Sequence, residues 1–108
     1  MQAVARVQAD IFRAIADPTR RQLLDLLHGQ ERAVSDLAAR FRMTQPAISQ
    51  HLRVLRSARL VGERRVGRQR VYRLRPERLR EVRDWLAHYE HFWPEKLGAL
   101  GEHLRRHP

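Results

Sequence analysis

The hydrophobic pattern of this chain changes its period at Leu60, and that change limits the folds available to it. Before Leu60, apolar residues recur every three or four positions, which is typical of amphipathic helices around a shared core. After it, the segments from Val61 to Val66 and from Arg70 to Leu74 resemble two strands joined by a Gly67-Arg68-Gln69 turn, with Tyr72 and Leu74 on one face, which predicts a β-hairpin. At 108 residues the chain has room for one domain, spanning 1–108.

Capping residues divide the region before Leu60 into four helices. The first is expected over about 2–16 and stops near Asp17-Pro18, where Asp17 caps the second helix and Pro18 opens it. Ser35 is the expected cap of a third helix that runs to Phe41, and Thr44 the cap of a fourth. Gly29 supplies the left-handed stop between the second and third helices.

Pro76 is expected to open a long last helix over about 77–106, kinked or broken at Pro94. Its apolar residues follow spacings of three and four and are more numerous than one small core requires. We therefore hypothesise a homodimer formed by the first and last helices. The predicted interface residues are Val4, Val7, Ile11, Leu86, Tyr89, Trp93, Leu97 and Leu100.

These elements give a mainly α fold with a small β-hairpin, in the order helix–helix–helix–helix–strand–strand–helix. This is a winged helix-turn-helix, with the helix-turn-helix at about 35–56 and the wing at about 60–74. No apolar run is long enough to span a membrane and no signal peptide opens the chain, so we expect a cytoplasmic protein without a membrane partner.

Positive charge is concentrated next to the fourth helix. Residues 53–83 hold twelve arginines and three glutamates, a net charge of +9 out of +10 for the chain. Such a segment is typical of proteins that bind nucleic acids, although a solvated charged surface is the alternative. Arg20 and Arg21 lie at the start of the second helix, which is unfavourable for cations and mildly indicates an external anionic partner.

The fourth helix combines an apolar face with a polar one. Ile48, Leu52 and Leu55 can dock on the core, whereas Gln45, Ser49 and Gln50 can reach base edges in double-stranded DNA. Arginines further along and at the hairpin tip suit phosphates or the minor groove. The predicted DNA-binding residues are Thr44, Gln45, Pro46, Ser49, Gln50, His51, Arg53, Arg56, Arg68, Gln69 and Arg70. A partly buried structural role is the alternative for His51.

Several stretches resemble the ArsR-type transcriptional repressors over about residues 10–75. They are Ala16-Asp-Pro-Thr-Arg-Arg-Gln-Leu-Leu-Asp-Leu-Leu27, Ser35-Asp-Leu-Ala38, Gln45-Pro-Ala-Ile-Ser-Gln-His-Leu-Arg-Val-Leu55, Leu60-Val61 and Gly67-Arg-Gln-Arg-Val-Tyr-Arg-Leu74. The resemblance implies a dimeric repressor that occupies an operator, with the helix after Thr44 as the recognition helix and Gly67 to Arg70 as the wing tip. Arg42 departs from the pattern, because relatives often have Gly in that turn.

The residues offer weak support for other chemistry. The chain has no cysteine, which excludes thiolate metal sites. Asp84, His88 and His91 could bind a metal, but their spacing differs from that of the family's sites and they lie opposite the apolar face. We therefore predict no metal or cofactor, no enzymatic activity and, at most, an unidentified small-molecule effector. A nonspecific architectural DNA-binding protein, a metal-responsive repressor and a protein-binding winged helix are the alternatives.

Overall fold

The computed structural model describes residues 10–93, which form five α-helices and a small three-stranded sheet. Helix α1 covers described residues 10–15. The remaining elements are β1 (Arg32–Ala33), β2 (Val61–Val66), β3 (Gln69–Leu74), α2 (Pro18–Leu26), α3 (Val34–Phe41), α4 (Gln45–Ser57) and α5 (Leu79–Ala87). Short 3-10 turns at Pro76–Arg78 and Glu90–Phe92 flank α5. No helix in 10–93 has the length and apolarity needed to cross a bilayer.

Two of the three predicted helix caps are confirmed. The carboxylate of Asp17 accepts a hydrogen bond from the Arg20 amide at 3.0 Å, and Pro18 begins α2. The hydroxyl of Thr44 accepts one from the Ala47 amide at 3.3 Å at the start of α4. The prediction for Ser35 is wrong, because Ala33 is the N-cap of α3 and makes no side-chain capping bond.

The reason for the early start of α3 is a strand that the sequence did not reveal. Residues Arg32 and Ala33 pair with Tyr72 and Val71, so the chain leaves the sheet directly into α3. The predicted hairpin is therefore part of a three-stranded antiparallel sheet in the order β1-β3-β2. Two residues are too short for hydrophobic alternation to be visible.

The hairpin turn is also one residue tighter than predicted. Val66 pairs with Gln69, which leaves Gly67 and Arg68 as a two-residue turn. Gly67 has φ +62°, a left-handed conformation that favours glycine in this kind of turn. The shorter turn fixes which residues of β2 and β3 share a face.

The core lies between the helices and the base of the hairpin. Its buried side chains are Ile11, Ala14, Leu23, Leu24, Leu27, Leu37, Ala38, Ile48, Leu52, Leu55, Ala58, Leu60, Val61 and Tyr72. Ile11 is fully buried among them. Its prediction as a dimer contact is therefore wrong, since the residue packs inside its own protomer.

Two arginines at the start of α2 donate hydrogen bonds to the end of α1, so their partners lie within the same chain. Arg20 donates to the carbonyl oxygens of Ala14 and Arg13 at 2.7 and 3.0 Å, and Arg21 donates to that of Ile15 at 2.8 Å. These carbonyls belong to the end of α1, where a helix dipole attracts cations. The mild indication of an external anion at Arg20 and Arg21 is thus corrected.

The last helix is shorter than predicted within the described residues. Residues Pro76–Arg78 form a 3-10 turn and α5 ends at Ala87, well before Pro94. Trp93 is extended, with φ −88° and ψ 129°, as expected for a residue that precedes proline. The predicted continuation from 94 to 106, including Leu97 and Leu100, lies outside the described residues, as do Val4 and Val7.

Candidate nucleic-acid interface

Helix α4 presents its polar face to solvent, as predicted. Gln45 and Gln50 are exposed and Ser49 is half-buried, while Ile48 and Leu52 on the opposite face are fully buried. Thr44 and Pro46 are exposed at the first turn. Amide and hydroxyl groups are therefore available on a helix whose orientation is fixed by the core.

The wing, here residues 61–74, stands beside this face and forms a cleft with it. The α4–wing cleft has a volume of about 400 Å³. Some of the predicted base-reading residues line it, together with some of the predicted phosphate-binding residues. Its lining residues are Ala33, Val34, Ser35, Gln45, Ser49, Arg65, Arg68, Gln69 and Arg70. The structure thus brings five of the predicted DNA-binding residues together at one surface.

Arg65 lines the cleft although it is not among the predicted DNA-binding residues. It pairs directly with Arg70 across β2 and β3, and both arginines are exposed. Like charges at opposed positions destabilise a strand pair, and an anion between them would remove that cost. The two-residue turn could not be predicted from the sequence, and only the register that it sets places Arg65 beside Arg70 on the inner face of the wing, the face that lines the cleft.

The predicted phosphate-binding arginines of α4 differ in their surroundings. Arg53 is exposed and has no ion-pair partner within residues 10–93. Arg56 instead donates to Glu63 of β2 at 2.8 Å. A phosphate contact by Arg56 therefore requires this ion pair to open. On the outer face of the wing, Arg64 pairs with Glu31 at 2.6 Å.

His51 is half-buried and faces the cap of α2. Its Nδ1 atom lies 3.9 Å from the carboxylate of Asp17 and 3.4 Å from the guanidinium of Arg20. The Arg20 amide, together with the nearby charges of Arg20 and His51, lowers the pKa of Asp17. This position favours the structural alternative for His51 over a contact with DNA.

The candidate metal ligands are not gathered at one point. Asp84 pairs with Arg83, His88 approaches the carbonyl oxygen of Trp85, and the ring of His91 lies 4.0 Å from that of Phe92. Within the described part of the chain, no three histidine or acidic side chains form a group that could hold a metal ion.

A row of exposed aromatic side chains runs along α5 and the turn after it. Trp85, Tyr89, Phe92 and Trp93 are between 40 and 70% exposed, and Leu86 is 38% exposed. Phe12 of α1 meets Trp85 edge-on, with ring centroids 5.2 Å apart. The aromatic row therefore borders α1, the other helix predicted to form the dimer.

Comparison with known proteins identifies the family. Residues 17–63 match the model described as "Bacterial regulatory protein, arsR family". The chain is 36% identical over 80 residues to the transcriptional repressor SdpR of Bacillus subtilis (strain 168), covering 74% of this chain and 89% of SdpR. The chain belongs to the ArsR family. The chain spans about half the length of three other transcriptional regulators to which it is similar.

Solved structures of ArsR-family proteins share the fold. The regulator RHA00566 is 32% identical, with a TM-score of 0.74 over 82% of this chain and 92% of that one. The homodimeric winged helix-turn-helix DNA-binding domain Mb0332 from Mycobacterium bovis is 34% identical, with a TM-score of 0.68 over 82% and 84%. The predicted winged helix-turn-helix is therefore confirmed.

The departure from the ArsR pattern at Arg42 has a local structural consequence. Arg42 follows α3 with φ 54° and ψ 40°, in the left-handed region that glycine adopts most easily. Its amide still donates to the Ala39 carbonyl oxygen at 3.3 Å, so the turn closes as in a glycine-terminated helix. The turn is therefore retained, with Arg42 in a strained backbone conformation.

Proposed function

We propose that this ArsR-family regulator is a homodimeric repressor that binds an inverted-repeat operator. Helix α4 enters the major groove, where Gln45, Ser49 and Gln50 contact base edges. The wing tip, from Gly67 to Arg70, contacts the flanking minor groove or the DNA backbone. The observation that carries the proposal is the α4–wing cleft, in which amide, hydroxyl and guanidinium groups share one exposed surface.

The dimer is the second part of the proposal. The exposed aromatic row on α5 supports it, because contiguous apolar surface of this kind marks protein–protein contacts. The homodimeric state of the Mb0332 domain supports it as well. Two recognition helices in successive major grooves would place the half-sites about 34 Å apart. Sedimentation at micromolar concentration tests this part directly, since a monomer would contradict it.

Selection of bound sequences from a random DNA pool tests the operator. We expect an enriched inverted repeat with half-sites one helical turn apart. Gln50→Ala should relax the preference at defined base positions, whereas Arg68→Ala should weaken binding to all sequences alike. A pool without any enriched sequence would instead support a nonspecific architectural protein.

A further inference from the structure

Glu63 occupies the junction between the recognition helix and the wing. One carboxylate oxygen, Oε2, accepts a hydrogen bond from Arg56 Nη1 at 2.8 Å and another from the Tyr72 hydroxyl at 2.9 Å. Glu63 and Tyr72 are directly paired across β2 and β3. The carboxylate therefore connects α4 with both strands of the wing.

The two partners of Glu63 differ in how firmly they are held. Tyr72 is 4% exposed and belongs to the core, so its hydroxyl keeps the carboxylate in place. The side chain of Arg56 is 61% exposed. Ion pairs with such exposure are weak, so a DNA phosphate can compete with Glu63 for this guanidinium.

We infer that Glu63 is an internal anion that competes with DNA phosphates for Arg56 and so limits the sequence-independent part of the affinity for DNA. The inference rests on the proposed function. Because a phosphate contact by Arg56 would be available on every sequence, suppressing it lowers affinity for all DNA alike. A larger share of the remaining binding free energy then depends on the bases that α4 contacts.

The environment of Tyr72 is consistent with this role. Burial, together with the hydrogen bond to Glu63, raises the pKa of Tyr72, while the nearby Arg70 acts in the opposite direction. The phenol therefore remains a protonated donor at neutral pH and continues to hold the carboxylate. The contacts of Glu63 with Arg56 and Tyr72 thereby link the two elements proposed to contact DNA.

The direct test is Glu63→Gln, which removes the charge and keeps the size of the side chain. For a duplex of random sequence we expect tighter binding and a steeper dependence of log affinity on log salt, by about 0.9 per protomer or 1.8 per dimer. The loss of affinity over a fourfold rise in salt should then grow about twelvefold. The ratio of operator to random-sequence affinity should stay unchanged, because the added phosphate contact is available on every sequence.

Glu77→Gln is the matched control, since Glu77 is an exposed carboxylate in the 3-10 turn after β3. It makes the same change in net charge at a site outside the helix–wing junction. An equal steepening in Glu77→Gln would overturn the inference, because net charge alone would then explain the effect. In an Arg56→Gln background, Glu63→Gln should no longer steepen the salt dependence, and a steepening that persists there would also overturn it.

A comparison within α4 needs no change at Glu63 and so remains valid if Glu63→Gln fails to fold. Arg53→Gln should reduce the salt slope by about 0.9 per protomer, whereas Arg56→Gln should leave it nearly unchanged. Equal reductions would overturn the inference. If wild-type protein prefers an operator but Glu63→Gln leaves the slope unchanged, only the inference fails. If wild-type protein prefers no sequence, the proposed function fails with it.

Discussion

Replacement of the opposed arginines on the inner face of the wing should weaken DNA binding and stabilise the free protein. Arg65 and Arg70 carry like charges at directly paired positions, and both line the α4–wing cleft. In Arg65→Gln/Arg70→Gln the repulsion disappears, which we expect to raise the free energy of unfolding by a few tenths of a kcal/mol. The proposed contacts of these two side chains with DNA phosphates disappear as well.

The size of the binding defect follows from the number of cations removed. A dimer would lose four guanidinium groups, and each phosphate contact contributes about 0.9 to the slope of log affinity against log salt. The slope should therefore become shallower by about 3.6. Between 50 and 200 mM salt, wild-type affinity should fall roughly 150-fold more than the variant's.

Fluorescence anisotropy of a labelled duplex, titrated at several salt concentrations, measures both affinity and slope. Arg80→Gln/Arg83→Gln is the matched control, because both arginines are exposed on α5 and the charge change is identical. We expect the control to lower the slope far less. Equal effects in the two variants, or an unchanged slope in the first, would refute the assignment of the wing's inner face to phosphate binding.

Three further changes test the fold and its chemistry. Arg42→Gly should raise the free energy of unfolding by about 1 kcal/mol in denaturant titrations, because glycine removes the left-handed strain. Ile11→Val should cost about 1 kcal/mol of stability yet leave the dimer dissociation constant unchanged in sedimentation, whereas Tyr89→Ala should raise that constant. Because the pKa of Tyr72 is raised in the folded state, its contribution to the free energy of unfolding should be fully present below pH ~10 and be lost as pH rises through the folded-state pKa. Denaturant titrations across alkaline pH should therefore show a smaller fall in the free energy of unfolding for Tyr72→Phe than for the wild type.

Local sequence signals predicted the parts of the fold that depend on interactions between residues close together in the chain. The Asp17 and Thr44 caps and the hydrophobic face of α4 were readable because capping and periodicity act within a few residues. Strand β1 could not be predicted from local signals, since it exists only through pairing with β3, which is distant in sequence. The partners of Arg20 were also hidden, because they lie on another helix.

The same limitation affects how the charge of residues 53–83 should be interpreted. Four of its twelve arginines, Arg56, Arg64, Arg78 and Arg83, form ion pairs with carboxylates. Of the other eight, only Arg53, Arg65, Arg68 and Arg70 lie on α4 or in the α4–wing cleft. Eight such cations in a dimer predict a salt slope of about −7, whereas counting the net charge of +9 that residues 53–83 carry in each protomer would predict about −16. A measured slope near the larger value would mean that the arginines outside the cleft also contact DNA.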